Sequence, residues 1–328
     1  MATPTAPSTT DEFSAQADPY RRELLAHCYR MLGSLHEAED LVQETYLRAW
    51  RAYEKFEGRS SLRTWLHKIA TTTCLTALEN RNRRPLPSGL GAPADDVPEE
   101  KILESAEVPW LEPFPDSLLP ESVSDPATIV GQRESTRLAF IAALQYLPAR
   151  QRAVLLLRDV LKWRATEVAE ALEISTAAVN SVLQRARAQL ERAAPSQEDR
   201  PPELTAEQER LLERYVAAFE SKNVPAIVEL FTAEASWEMP PFRLWVVGGE
   251  RIAQLRTRQC PAGADGLRLR PTRANGRPAF GMYLRDADGV FRSFQLNVLE
   301  LDGNLVRRVV AFFDVDFTKF GLPVICPE

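Results

Sequence analysis

Histidine and cysteine are the scarcest chemistry-bearing residues in this chain of 328 residues. The three histidines, His27, His36 and His67, all precede residue 68. A histidine-dependent acid–base mechanism is therefore excluded from everything downstream. The four cysteines, Cys28, Cys74, Cys260 and Cys326, form no C-x-x-C pair. That argues against a disulfide framework or a zinc site and fits a reducing compartment. No apolar run approaches the ~20 residues of a membrane span. The start of the chain, with Asp11 and Glu12 behind a Thr/Pro/Ser stretch, lacks the layout of a secretory leader. A phosphate-binding glycine loop is missing as well. The expectation is a soluble cytoplasmic protein with no cofactor and no metal.

Net charge is small, at −6, but it is distributed unevenly. Residues 1–84 sum to +1, residues 85–130 to −9, residues 131–194 to +4 and residues 195–328 to −2. One acidic segment conceals a basic one behind it. The acidic segment also holds nine prolines, which predicts an extended connector over 85–130. Its apolar island, Val108 to Pro115, is unusual for a passive linker, and Trp110, Leu111 and Phe114 are its candidate anchors.

The basic segment carries the sharpest pattern. From Arg164 to Leu190 two short helices are separated by Glu173-Ile174-Ser175, with Ser175 or Thr176 as N-cap. Val168, Ala169, Ala171 and Leu172 share one face of the first helix. Val179, Leu183 and Ala186 make the buried stripe of the second. The second helix presents Thr176, Asn180, Ser181, Gln184, Arg185 and Arg187 on its other side, all able to bond base edges or phosphates. This is the layout of a helix-turn-helix, although an ordinary helical hairpin shares it.

Upstream, residues 1–12 read as a disordered tail and residues 13–84 as helical. Between Glu37 and Glu57 no glycine or proline interrupts a helical period. There Ala38, Leu41, Val42, Thr45, Ala49, Trp50 and Tyr53 define an apolar face, opposite a polar one with Asp40, Gln43 and Glu44. A break at Phe56 to Ser61 precedes a second helix that ends in Arg81, Arg83 and Arg84. Those arginines suit either a helix dipole or a phosphate. Residues 131–194 form the second helical domain, and 195–202 a short linker. Residues 203–328 begin helical and continue as alternating segments: Ala235–Met239, Leu267–Arg273, Ala279–Arg285, Val290–Leu301 and Leu305–Phe317. Turn signals at Asp286 to Gly289 and at Asp302 to Asn304 divide them, so this part is an α+β unit.

Taken in order, AEDLVQETYLRAW (38–50), FEGRSSLRTWLHKIA (56–70), LPARQRAVLLLRDV (147–160) and the helix-turn-helix resemble a bacterial extracytoplasmic-function sigma factor. The stretch ERYVAAFESKNVPAIVELFTAEASWEMPP (213–241) is similar to the SnoaL-like family, whose fold is a cone-shaped α+β barrel. The resemblance implies a multi-domain protein. Two all-α sigma domains, the second with the helix-turn-helix, are joined by the acidic linker and followed by the SnoaL-like domain.

It also implies the partners and the surfaces that meet them. Asp40, Gln43 and Glu44 would dock on the clamp helices of the largest subunit of core RNA polymerase. Phe56, Arg59, Ser60, Ser61, Arg63, Trp65, Lys68, Thr72, Asn80, Arg81, Arg83 and Arg84 would bind and melt the −10 element. Flipped bases need aromatic walls and nearby cations, which this set contains. Ser175, Thr176, Asn180, Ser181, Gln184, Arg185 and Arg187 would bind the −35 element. The linker would thread toward the polymerase RNA exit path, or be acidic only to stay extended. The C-terminal domain would regulate in cis, with Trp237, Met239, Phe242 and Trp245 around a pocket for a small-molecule ligand, or as plain core. Glu238, Asp314 and Asp316 are its candidate acids, unless they are solvated strand-end carboxylates. The alternatives are a conventional helix-turn-helix regulator with a ligand-sensing domain, and an enzyme with a DNA-targeting module.

Overall fold

A computed structural model describes residues 9–79, 81–120, 135–193, 204–263 and 265–327. The chain divides into two compact units, each built from two stretches. Met1–Arg83 and Leu118–Gln197 form the first, Arg84–Ser117 and Glu198–Glu328 the second.

The first unit is helical. Helix α1 (Thr9–Ala17) starts inside the stretch read as a tail, and residues 1–8 lie outside the described residues. Phe13 and Ala17, one turn apart, are both buried, and the Phe13 ring lies edge-on to Tyr46 and Tyr53 at 6.1 and 5.1 Å. Helix α2 (Arg21–Leu32) ends at Gly33, whose φ of 75° lets the chain turn back at no steric cost. Helix α3 (Leu35–Ala52) is capped by Ser34, whose Oγ accepts from the Glu37 N–H at 3.2 Å. Its buried row is Ala38, Val42, Thr45 and Ala49. Trp50, read as part of that row, is 46% exposed. It follows Ala49 directly and so sits about 100° further round the helix, outside the stripe. Helix α4 (Leu62–Ala77), capped by Ser61, packs Leu66, Ala70 and Cys74 inward.

The further helices of this unit, among the described residues, are α5 (Leu138–Leu144), α6 (Ala149–Leu155), α7 (Ala165–Leu172) and α8 (Thr176–Ala193), with a π turn over Leu156–Val160. Two buried arginines join its halves. Arg152 on α6 donates to the Met31 carbonyl of α2, and also to Gln145 Oε1 (3.0 Å) and the Leu147 carbonyl (3.2 Å). Arg30 on α2 donates to the Ser135 carbonyl at 3.3 Å.

The second unit is α+β. Helices α9 (Ala206–Glu220), α10 (Val224–Glu229) and α11 (Gly249–Gln259) accompany six strands. These are β1 (Phe231–Glu238), β2 (Trp245–Val247), β3 (Leu267–Ala274), β4 (Arg277–Arg285), β5 (Phe291–Asp302) and β6 (Leu305–Phe313). They form one sheet in the order β2-β1-β6-β5-β4-β3, open at β2 and β3. β1 runs parallel to β6 and every other pair is antiparallel. Asn275 and Gly276, at φ of 53° and 69°, make the tight β3–β4 hairpin. Stacked rings of Tyr215 and Phe219 (4.2 Å), and of Phe219 and Trp237 (5.8 Å), fill the space between α9 and the sheet.

The connector is not free along this length. Val97 is fully buried in the core of the second unit. Residues 121–130 of the expected connector, the first four residues (131–134) of the expected second helical domain, and the short linker 195–202 lie outside the described residues.

Candidate nucleic-acid interface

Helices α7 and α8 meet as the sequence pattern requires. Val168, Ala169, Ala171, Val179, Leu183 and Ala186 are buried and Leu172 is half-buried. Glu173 makes the break in the left-handed region, at φ 54°. The Ile174 N–H returns to the Ala169 carbonyl at 3.0 Å, and Ser175 Oγ accepts from the Ala178 N–H at 3.1 Å. Thr176, Asn180, Ser181, Gln184, Arg185 and Arg187 are all exposed. Ser181, Gln184 and Arg185 stand opposite the buried stripe. Ser175 is engaged as the cap. Arg187 is held at its flank by a two-pronged pair with Asp159, at 2.9 and 2.6 Å.

The set expected at the −10 element is brought together in part. The Phe56 and Trp65 rings lie 4.8 Å apart at 31°, both half-buried, beside exposed Arg59, Ser60 and Ser61. Arg59 reaches Glu57 in the same exposed loop at 2.6 Å. Ser61 spends its hydroxyl on the α4 cap. Lys68 is half-buried and Thr72 exposed on α4, one turn apart. Arg63 turns away to Glu23, its Nε 2.9 Å from both carboxylate oxygens. Burial pushes the Glu23 pKa up, but the Arg63 hydrogen bond and the nearby His67, Arg63 and Arg30 charges outweigh it and hold the pKa below its ordinary value. Arg81 pairs with Glu37 at 2.6 Å, and the Arg83 guanidinium lies 4.5 Å over the Tyr146 ring. Arg84 belongs to the second unit and donates to the Trp110 carbonyl at 2.9 Å. Asn80 lies outside the described residues.

On α3, Asp40 and Gln43 are exposed and Glu44, half-buried, pairs with Arg48 at 2.6 Å. Leu47 on the same face is 50% exposed, beside the displaced Trp50. Sequence reading missed both, although the spacing 40, 43, 47, 50 was there to be counted.

Within the second unit the expected anchors are seated. Leu111 and Phe114 are buried; Trp110, half-buried, donates its indole N–H to the Ser105 carbonyl at 3.1 Å. The Phe114 N–H bonds Asn275 Oδ1 and the Asn275 N–H bonds the Phe114 carbonyl, both at 2.8 Å. Asp116 takes the Gly276 N–H (2.7 Å) and Arg273 (3.2 Å). Trp237 is core and Trp245 donates to the Gly91 carbonyl at 3.1 Å, whereas Met239 and Phe242 line a cavity. Glu238 is buried and bound to Arg308 at 2.5 Å, and Asp316 caps a short turn at Thr318. Asp314 is exposed.

Among the described residues no helix is long and apolar enough to cross a membrane, and no group of acidic, histidine and cysteine side chains is placed to hold a metal.

Comparison with known proteins follows the same divisions. Sigma-70 region 2 matches residues 17–84 and Sigma-70 region 4 matches residues 137–190. The ECF RNA polymerase sigma factor SigG of Mycobacterium tuberculosis is 60% identical over 316 residues, which is 95% of this chain and 84% of that protein. SigW of Bacillus subtilis is 28% identical over 177 residues, 54% of this chain and 86% of that one. The crystal structure of SigJ of Mycobacterium tuberculosis shares the fold with a TM-score of 0.56 at 22% identity, covering 96% of this chain and all of that one. A relative matched at 60% through both helical regions, the connector and the sheet domain settles descent: this chain belongs to the ECF RNA polymerase sigma factors.

Proposed function

We propose that this sigma factor binds core RNA polymerase, directs it to promoters in the cytoplasm, and is restrained in cis by its SnoaL-like domain. The observation that carries the polymerase reading is the outer face of α3. Leu47 and Trp50 lie half in water beside Asp40 and Gln43, an apolar pair within a polar rim, which is how a docking surface is composed. A regulator that only bound duplex DNA would have no use for that face.

Asp40, Gln43 and Glu44 then meet the polymerase with Leu47 and Trp50. Phe56, Trp65, Arg59, Ser60, Lys68 and Thr72 receive the opened −10 strand. Arg63, Arg81 and Arg84 serve the fold, each through a pair or hydrogen bond in its own unit. Asn180, Ser181, Gln184 and Arg185 read the −35 element, with Ser175 and Thr176 setting the helix start and Arg187 steering toward phosphate.

The helical unit itself supports restraint. The two elements lie roughly 80 Å apart on B-form DNA at about 3.4 Å per base pair. The two halves of this unit are joined through Arg152 and Met31, and through Arg30 and Ser135. Reading both elements requires breaking those buried bonds. The connector, held by the SnoaL-like domain over 84–117, limits how freely they break.

Run-off transcription with bacterial core polymerase on a genomic promoter library tests this. The full chain is expected to initiate at a defined set of promoters, Leu47→Asp to lose initiation while still binding duplex DNA, and Arg185→Ala to lose promoter choice. Silence from the wild-type chain with retained duplex binding would favour a conventional regulator.

A further inference from the structure

We infer that the SnoaL-like domain holds an organic anion with an apolar body, its acid group on Arg256. The cavity, about 510 Å³, lies within the second unit. That volume suits a small-molecule ligand. Met239, Phe242, Leu255, Phe294 and Phe313 give it apolar walls. Two buried polar groups at its lining are incompletely satisfied.

The first is Arg256, 8% exposed on α11. Among the described residues it has no carboxylate partner. Its guanidinium meets two sulfur atoms, Cys260 Sγ and Met282 Sδ, each at 3.3 Å, and lies 5.6 Å from the ring centroids of both Phe219 and Trp237. Thioether and thiol sulfur are weak acceptors. A cation taken out of water needs a stronger counterpart than these. The second is Gln295, 1% exposed on β5. Its amide N–H donates to Asn297 Oδ1 at 2.8 Å, and Asn297 passes a hydrogen bond to the Tyr215 hydroxyl at 3.2 Å. Among the described residues its buried Oε1 has no partner. A ligand with an acid group and a nearby N–H or O–H donor satisfies both at once, and an apolar body fills the remainder.

One wall is the connector. Ile102 lines the cavity, and Gln259 holds that segment through the carbonyls of Pro98 (2.6 Å) and Glu100 (2.9 Å). A ligand touching Ile102 is better buried with the connector docked, so its binding favours the docked state. The binding site stands without the promoter reading; only the regulatory consequence rests on it.

The test uses the full chain and two fluorescent probes of matched shape. 8-Anilinonaphthalene-1-sulfonate carries an anion and an N–H donor, and N-phenyl-1-naphthylamine is the same body without the sulfonate. The anionic probe is expected to bind one-to-one and at least about 10-fold more tightly than the neutral one, the size of a charge-assisted hydrogen bond. Arg256→Met should remove that difference while leaving the neutral probe unchanged. Ile102→Asp, at the partly exposed wall, should weaken both and keeps the test decisive if Arg256→Met unfolds. Equal binding of the two probes by the wild-type chain, several weak sites, or no response to Ile102→Asp would overturn the assignment.

Discussion

Phe114→Ala should undock the connector without unfolding the sheet beneath it. Phe114 is fully buried and is flanked by two backbone-length bonds to Asn275. Truncating a buried phenylalanine costs about 3–5 kcal/mol, and each hydrogen bond that follows it out forfeits about 1 kcal/mol more. The nearest other apolar anchors are Leu111 and, further back, Val97. The opening free energy of residues 105–117 should therefore fall by at least 3 kcal/mol, which speeds exchange through that opening by about a hundredfold or more. Amide hydrogen exchange followed by mass spectrometry reads this directly, at the N–H groups of Phe114, Asn275 and Gly276. Trp110→Ala is the internal comparison. Its ring is half-buried and its indole N–H bonds the nearby Ser105 carbonyl, so exchange there should change by less than about tenfold. If Phe114→Ala accelerates exchange evenly across β3 to β6, the side chain is ordinary core and the anchor reasoning fails. Unchanged exchange would refute it equally.

Three further outcomes follow from the helical unit. Glu173→Gly should stabilise the helix-turn-helix by about 0.5–1 kcal/mol, because a left-handed non-glycine residue costs about 1–2 kcal/mol and glycine returns part of that as chain entropy; urea unfolding midpoints measure it, and a loss of stability would count against strain at this turn. Stability should fall as the pH drops below about 6.5. His27 and His67 are both buried, chiefly desolvation lowers their pKa values, and the unfolded chain therefore takes up protons that the folded one refuses. Their effect is absent above that pH; Glu23, with its lowered pKa, adds a second loss below about 4.5. Urea midpoints at pH 7.5 and 5.5 check the sign. Gln184→Ala and Arg185→Ala should each cost about 1–3 kcal/mol at cognate −35 sequences and much less elsewhere, measured by competition against altered sites; uniform weakening would mark them as phosphate contacts.

How much was legible depends on what kind of contact holds each part. The buried rows of α3 and α8 are periodic, so Ala38, Val42, Thr45 and Ala49, and Val179, Leu183 and Ala186, could be counted out of the sequence. Trp50 failed because apolar character was taken for burial one step beyond the stripe. The long strands β3 to β6 alternate between turns and were readable, although β6 stops at Phe313 and Phe317 begins a 3-10 turn. β2 is three residues long, and α11 buries Ile252, Ala253 and Leu255 within a strongly basic segment, so neither signals itself. The ion pairs that occupy Arg63 and Arg81 are long-range and have no local trace. The connector is the clearest limit. It lacks a period because single side chains and backbone carbonyls hold it, to Arg251, Arg258 and Gln259 among others. Only its apolar island announced that it rests on something.

That mode of attachment bears on the acidic charge of the connector. In the second unit Glu107 meets Arg243 at 2.8 Å, Asp96 meets Arg258 at 3.4 Å and Asp116 meets Arg273 at 3.2 Å. The same negative charge that would suit a channel for RNA is here answered by arginines of the second unit. Most of these carboxylates and guanidinium groups are well exposed, and such pairs are worth about 0–1 kcal/mol each, less in salt. Asp116, largely buried and bonded to Gly276, is the exception. Charge therefore guides the connector onto its seat, while Phe114, Leu111 and Val97 hold it there. Replacing Asp95, Asp96, Glu99, Glu100, Glu104 and Glu107 by their amides should then shift the opening free energy by no more than about 1–2 kcal/mol, against at least 3 for Phe114→Ala. Transcription separates the two roles of the charge. If the amide variant keeps the connector docked yet initiates poorly, the acids act on the polymerase. If it initiates normally, their work ends at the arginines of the second unit, and the channel reading falls.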